Sequence, residues 1–240
     1  MTLPLSGSIA LVTGASRGIG AATAIELGRL GAHVIVTART QGGLEETDDA
    51  IREAGGTATL LSLDLMEGEQ VDAIGPSLLE RFGRLDILVV NAGVLGVLTP
   101  VPHILPPMWG EVVGVNLSAT WRLIRTADPL LRAAPGGRAV VITAERASIP
   151  QAYWGPYGAT MAAREQLALT WAAETRQTRL RINLFDPGPV ATRLRQRAFP
   201  GEDREALRRP ADVAPAIAAL CLPEETRHGA IIRAGAAVPA

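Results

Sequence analysis

The chain has 240 residues and a formal net charge of −1, with 48% hydrophobic and 20% charged residues. This composition is typical of one well-buried globular domain and excludes a disordered chain. The nearly balanced charge gives no reason to expect nucleic acid or an anionic membrane as a partner.

Short apolar runs recur along the chain, and mixed segments with helical spacing lie between them. The runs are residues 9–12, 34–36, 87–90, 139–142 and 182–185, and the helical segments are 18–30, 107–133, 156–176 and 211–222. A further helix over 71–82 contains Pro76, which predicts a kink or a late start. This alternation predicts a doubly wound α/β (Rossmann) fold, with a parallel sheet of about seven strands covered on both faces. We therefore expect a single domain over residues 1–240.

A glycine-rich segment joins the first predicted strand to the first predicted helix. It reads Thr13-Gly14-Ala15-Ser16-Arg17-Gly18-Ile19-Gly20. Glycines let the backbone turn with positive φ and let a pyrophosphate approach, and the helix start directs N–H groups at the phosphates. The segment therefore predicts a dinucleotide site. Its first binding residues are Gly14, Ser16, Arg17, Gly18, Ile19 and Gly20.

The end of the second predicted strand indicates which dinucleotide is preferred. An acid at this place binds the adenosine ribose hydroxyls and excludes a 2′-phosphate. Ala38 stands there instead, Arg39 follows it, and Arg17 lies in the glycine loop. Two guanidiniums suit a phosphate, which favours NADP(H), with NAD(H) as the alternative. The competing interpretation is that both arginines are solvated surface charges.

The glycine spacing, with Thr13 before it, resembles that of the short-chain dehydrogenase/reductase family, and further motifs of that family follow in order. They are Asp64-Leu65, Asn91-Ala92-Gly93, Asn116, Tyr157-Gly158-Ala159-Thr160, and Pro187-Gly188 with Thr192. Val90 departs from the pattern, because a second Asn is usual there. The resemblance implies catalytic roles for Tyr157 and Asn116. It implies cofactor contacts from Asp64, Leu65, Asn91, Ala92, Gly93, Pro187, Gly188 and Thr192.

The same resemblance implies a small-molecule substrate, which the sequence does not identify, and a substrate lid around residues 188–210. It also implies a homodimer or homotetramer formed through helices 156–176 and 211–222. The first of these helices is more apolar than one sheet face requires, which supports an interface there. We expect the small apolar segment 235–240 to pack at the same interface.

Two catalytic positions implied by the resemblance are altered. The family uses a Ser to hold the substrate carbonyl and a Lys to bind the nicotinamide ribose and lower the Tyr pKa. This chain has Ala144 and Met161 at those positions. Reduction of a carbonyl needs the neutral phenol of Tyr157, whereas oxidation of an alcohol needs the phenolate. The loss of the Lys should therefore slow oxidation more than reduction. We expect an NADP(H)-dependent carbonyl reductase with an incomplete catalytic tetrad. The alternative is an impaired or inactive relative that binds a dinucleotide as a sensing or scaffold protein.

Several nearby side chains are candidates to compensate for these losses. Thr143 needs a loop distortion to reach the site, since neighbouring strand residues face opposite ways. Arg146 is a candidate for the missing charge and Tyr153 for the pocket wall, although surface positions are the simpler interpretation. His103 is expected to be an exposed loop residue. The arginines within 193–209 either attract an anionic substrate or form a solvated face.

The remaining residue counts limit other chemistry. The single cysteine, Cys221, lies in an apolar run, so we expect it in the core, with no disulfide and a reducing compartment. Three histidines and one cysteine have no ligand spacing, and no metal site is expected. The first residues lack the pattern of a signal peptide, so we expect a cytoplasmic location.

Overall fold

A computed structural model describes residues 2–235, and in it seven parallel strands form one sheet with helices on both faces. The strands are β1 Ile9–Thr13, β2 His33–Ala38, β3 Thr57–Ser62, β4 Ile87–Val90, β5 Arg138–Ile142, β6 Arg181–Asp186 and β7 Ile231–Arg233. The helices are α1 Gly18–Arg29, α2 Gln41–Glu53, α3 Gly68–Asp72, α4 Ile74–Phe82, α5 Pro106–Val113, α6 Ala119–Ala133, α7 Gly155–Glu174, α8 Arg193–Ala198 and α9 Pro210–Ala219. The doubly wound α/β fold that the sequence predicts is confirmed.

The core lies in two layers, one on each face of the sheet. Adjacent strand residues point to opposite faces, and here both faces are apolar. Val12 and Val36 belong to one buried cluster, whereas their neighbours Leu11 and Ile35 belong to the other. This double burial explains why the central strands read as continuous apolar runs.

A π-helical stretch and two edge strands depart from the sequence-based prediction, as do α2 and α8, which lie in segments without a predicted helix. The segment 107–133 is not one regular helix, because a π-helical stretch, Gly114–Ser118, separates α5 from α6. The helix containing Pro76 is divided into α3 and α4, as the proline predicts. The apolar runs do not reveal β3 or β7, since these edge strands are largely half-buried and lack a continuous apolar run.

The order of the strands places a crevice at the carboxyl ends of β1 and β4. The sheet order is β3-β2-β1-β4-β5-β6-β7, so the connections from these two central strands leave in opposite directions. Open α/β sheets bind ligands at such a switch point. A cavity of about 700 Å³ opens there, and its walls come from the loops that follow β1, β2, β4, β5 and β6.

Three further expectations concern the rest of the chain. Cys221 is buried, as expected, and burial raises the pKa of its thiol to about 12. No helix within residues 2–235 is both long enough and apolar enough to cross a bilayer. The segment 235–240, which we expect at a subunit interface, lies outside the described residues except for Gly235.

Candidate active site

The glycine loop after β1 forms a cradle at one end of the cavity. Gly14 has φ +66°, a conformation that side chains rarely adopt. A methyl group on Gly20 would lie 2.5 Å from Asn91 Nδ2 and closer still to the Gly14 carbonyl oxygen. Helix α1 begins at Gly18 with no side-chain cap, so its first N–H groups are available at the cavity. This geometry suits an anion held by backbone amides.

Two polar side chains fix the position of this loop. Thr13 Oγ1 accepts hydrogen bonds from the backbone N–H groups of Asn91 (3.0 Å) and Ala92 (3.1 Å). Asn91 Nδ2 donates to the carbonyl oxygens of Thr13 (2.9 Å) and Gly14 (3.3 Å). The loops after β1 and β4 are therefore joined by hydrogen bonds, and the cradle is preformed.

The end of the cavity beyond β2 carries the two arginines that the sequence singles out. Arg39 and Arg17 are exposed and both line the cavity, together with Ala38. The Arg39 guanidinium lies 3.8 Å from Asp64, and both side chains keep more than a third of their surface exposed. An ion pair so exposed contributes little stability, so Arg39 remains available to a ligand. No acidic side chain stands at the end of β2.

Tyr157 and Asn116 lie at the other end of the cavity. Tyr157 is in the first turn of α7 and packs edge-on against Trp154, with 5.7 Å between ring centroids. Burial raises the pKa of the Tyr157 phenol above its usual value, Arg164 opposes this shift, and Asp186 adds to it. The phenol therefore stays protonated at neutral pH.

Asn116 lies in the π-helical stretch, a deviation that often marks a functional position. Its side chain is fully buried and bonded. Oδ1 accepts from the Val94 N–H (2.8 Å), and Nδ2 donates to the Val94 carbonyl (3.0 Å) and to Thr160 Oγ1 (3.1 Å). The amide thus holds the loop after β4 against α7, one layer behind the cavity wall.

The two altered positions both face the cavity. Ala144 and Met161 belong to its lining, and neither side chain can donate a hydrogen bond there. Thr143 also lines the cavity, but its hydroxyl donates to Glu165 Oε2 at 2.9 Å. In this conformation Thr143 does not replace the missing hydroxyl.

The other candidates for compensation are also accounted for by local contacts. Arg146 lines the cavity, pairs with Glu145 at 2.9 Å and stacks over Trp154 at 5.7 Å. Tyr153 is 57% exposed with φ +73°, and it is not part of the cavity lining. His103 is exposed and also lies outside that lining.

The segment after β6 contributes to the lining of the cavity. Thr192 Oγ1 caps α8 by accepting from the Arg195 N–H at 3.2 Å. Arg195 pairs with Glu202 and lies 3.8 Å from the centre of the Phe199 ring. That ring packs 5.7 Å from Trp154, which contacts Tyr157. The segment is therefore connected to Tyr157 through packed aromatic rings.

The structure brings together nearly all the residues predicted for the site. Those in the cavity lining are Gly14, Ser16, Arg17, Gly18, Ile19, Arg39, Asp64, Leu65, Asn91, Ala92, Gly93, Ala144, Tyr157, Met161, Pro187, Gly188 and Thr192. Gly20 and Asn116 lie immediately behind the wall. Within residues 2–235, no group of three or more acidic, His or Cys side chains is placed to hold a metal ion.

Two buried charged residues of the cavity were missed by the sequence analysis. Arg164 is 2% exposed and Asp186 is 6% exposed, and both belong to the lining. Arg164 follows Tyr157 by seven residues, a spacing that places both on one face of a helix, so it was open to detection. Asp186 ends an apolar strand at the cavity, and a charge at that point was the available signal.

The comparisons with known proteins agree with this geometry. A family model described as short chain dehydrogenase matches residues 8–203. The uncharacterized oxidoreductase YciK of Escherichia coli K12 is 35% identical over 214 residues, covering 88% of this chain and 84% of that protein.

Solved structures are similar over almost the entire chain. A protein of Pseudomonas syringae assigned as a short chain dehydrogenase has a TM-score of 0.93 at 32% identity, covering 97% of this chain and 96% of that chain. One of Escherichia coli CFT073, assigned in the same way and solved with NADPH, has a TM-score of 0.92 at 33% identity, covering 98% and 99%.

Proposed function

We propose that this chain, which belongs to the short chain dehydrogenase family, binds NADP(H) and reduces a carbonyl group of a small molecule. The observation that carries the proposal is a complete nucleotide cradle that ends in two arginines and leads to a protonated tyrosine. The family membership makes a nicotinamide dinucleotide the ligand of this cavity. The choice of NADP(H) and the direction of the reaction are our inference.

The residues of the cavity fit the phosphate groups of NADP(H). At Gly20 any side chain would occupy the space that keeps the loop against Asn91. The N-terminal amides of α1 would hold the diphosphate, and Arg17 and Arg39 would hold the adenosine 2′-phosphate. Guanidinium groups suit phosphate because two N–H donors can bind two oxygens at once. Ala38 stands where a carboxylate would repel the 2′-phosphate.

The bound cofactor would supply a hydride to the carbonyl carbon, and the chain must supply a proton to the carbonyl oxygen. We assign this donation to Tyr157, which lines the cavity. Burial raises the pKa of this phenol above its usual value, so the phenol is protonated at neutral pH. The protonated form is the one that reduction uses, so the reductive direction is favoured.

The site lacks two of the donors that the family uses, one for the substrate oxygen and one for the nicotinamide ribose. Ala144 provides no hydroxyl, and a missing oxyanion donor costs about 10²–10³-fold in rate in other enzymes. Met161 provides no ammonium group for the nicotinamide ribose. We therefore expect slow reduction, restricted to carbonyl groups that need little activation.

The second candidate function is a dinucleotide-binding protein without turnover, acting as a sensor or scaffold. It is favoured by the same two positions, since neither Ala144 nor Met161 can donate to a substrate or a ribose. The engaged hydroxyl of Thr143 also favours it.

NADPH oxidation against a panel of aldehydes and ketones separates the two candidates. The wild type would be compared with Tyr157→Phe and with the double variant Ala144→Ser, Met161→Lys. Slow wild-type turnover that Tyr157→Phe reduces by about 100-fold or more, with NADPH affinity unchanged, supports the reductase. A wild type without measurable turnover, alongside an active double variant, supports the second candidate function and overturns the proposed reductase activity.

Two further parts of the proposal concern the lid and the subunits. Residues 188–210 would cover the bound substrate, and the contact between Phe199 and Trp154 supports this. We also propose a homodimer or homotetramer formed through α7 and α9. Light scattering of the eluting protein measures this directly, and a monomer at working concentration contradicts it.

A further inference from the structure

We propose that Arg164 supplies, beside Tyr157, the positive charge that position 161 lacks, and so acts as a positioning residue for proton transfer by the phenol. The inference rests on the proposed function, because it assigns Tyr157 the proton transfer. In this proposal the site at Tyr157 retains a cation, which projects from a different turn of the same helix than position 161.

The geometry brings the guanidinium under the catalytic end of the cavity. Tyr157, Met161 and Arg164 follow one another at intervals of four and three residues on α7, and all three line the cavity. This spacing places them on one helical face. A carbon placed on Gly93 would lie 3.4 Å from Asn116 Oδ1 and 3.8 Å from Arg164 Nη1. The guanidinium therefore reaches the layer that holds Asn116.

The surroundings of Arg164 satisfy only part of its hydrogen-bonding capacity and do not neutralise its charge. Nη2 donates to the carbonyl oxygens of Val90 (3.2 Å) and Ala92 (3.1 Å). Within residues 2–235, Nε is buried without an acceptor, and no carboxylate oxygen lies within ion-pair distance of the guanidinium. A buried charge without an opposite charge is costly.

The other buried arginine makes an informative contrast. Arg138 is 6% exposed and lies at the opposite end of the sheet, where carbonyl oxygens surround its guanidinium. All three of its nitrogens donate, to the carbonyls of Gly136, Gly137, Leu222 and Pro223. Arg138 is thus explained by local structure, whereas Arg164 keeps donor capacity and charge at the cavity.

The charge of Arg164 persists at neutral pH and acts on Tyr157. Burial lowers the pKa of Arg164 to about 10, and interaction with Tyr157 opposes the shift. Burial raises the pKa of Tyr157, Arg164 lowers it, and Asp186 raises it. Other charged groups in the cavity wall are Arg17, Arg39, Asp64, Glu145, Arg146, Arg193, Arg195 and Arg233. Two of them are neutralised by close ion pairs, Arg146 with Glu145 and Arg195 with Glu202.

The chemical consequence concerns the phenolate. When the Tyr157 proton passes to the substrate oxygen, the O–H electron pair stays on the phenol oxygen. A buried guanidinium stabilises that negative charge, so donation becomes easier. The reverse reaction begins from the phenolate, and the guanidinium raises the fraction of the protein in that form.

The test is a titration of the Tyr157 phenol by ¹⁹F NMR with fluorinated tyrosine, which is more acidic and titrates where the fold persists. The chain has only two tyrosines, so a Tyr153→Phe background leaves one signal. Arg164→Gln, which keeps a donor but removes the charge, should raise the phenol pKa by about one unit or more. Arg164→Lys should retain most of the wild-type value, and Met161→Lys added to Arg164→Gln should restore it. Asp186→Asn should shift the pKa in the opposite direction.

A merely structural role would lower the melting temperature without moving the titration. An unchanged phenol pKa in folded Arg164→Gln, or in Arg164→Met if the Gln variant does not fold, overturns the proposal. The titration needs neither cofactor nor turnover. NADPH binding, measured separately on the same variants, therefore reports the proposed function independently of this inference.

Discussion

Arg39 provides the sharpest test of how the cavity distinguishes NADPH from NADH. Its side chain is 55% exposed and faces Asp64 across 3.8 Å, so removing that pair should cost little stability. In the complex it would face a 2′-phosphate carrying up to two negative charges. Losing a hydrogen bond to a charged group costs about 1.5–3 kcal/mol. Arg39→Gln should therefore weaken NADPH binding by about 10- to 100-fold.

NADH lacks the 2′-phosphate, so its affinity should change by less than about threefold in the same variant. Isothermal calorimetry with both nucleotides measures the two dissociation constants. Arg52→Gln is the matched control, because it makes the same charge change on an exposed residue of α2 outside the cavity. Raising the salt concentration should reduce the wild-type preference, since an exposed ion contact is screened. Equal losses for both nucleotides would refute the assignment of Arg39 to the phosphate.

Two further substitutions test other parts of the nucleotide site. Ala38→Asp should reverse the preference, weakening NADPH binding by about 10-fold or more while leaving NADH binding unchanged or improved, because a carboxylate at the end of β2 repels the phosphate and accepts from ribose hydroxyls. Weaker binding of both nucleotides would contradict this. Gly20→Ala should abolish nucleotide binding and lower the free energy of unfolding by about 1–3 kcal/mol, because its methyl group would overlap the Gly14 carbonyl and Asn91. The control is Gly42→Ala, where the added methyl meets nothing within 4 Å, and denaturant unfolding with fluorescence binding follows both variants.

The nucleotide cradle was predictable because its determinants are local. The spacing of Gly14, Gly18 and Gly20 between a strand and a helix requires no knowledge of distant contacts. The same holds for Ala38 and Arg39, which are located by the end of one strand. The edge strands β3 and β7 were harder, because a half-buried edge strand lacks the continuous apolar run of a central strand.

The end of the cavity at Tyr157 was predicted less completely, since its properties depend on tertiary contacts. Whether Thr143 reaches the substrate depends on its bond to Glu165, which lies on another element. The π-helical stretch at Asn116 accompanies side-chain bonds to the backbone of Val94, which a helical pattern does not reveal. The helical spacing puts Arg164 on the face of Tyr157, but only the fold reveals that it is buried and donates to the carbonyl oxygen of Val90 in β4.

The central claim is that the cavity at the carboxyl ends of β1 and β4 holds NADP(H) against the glycine loop. Titration of the folded wild type with NADPH in a calorimeter tests it most directly. One NADPH should bind per chain, more tightly than NADH, and Gly20→Ala should eliminate the heat of binding. A folded wild type that takes up neither nucleotide would contradict the account.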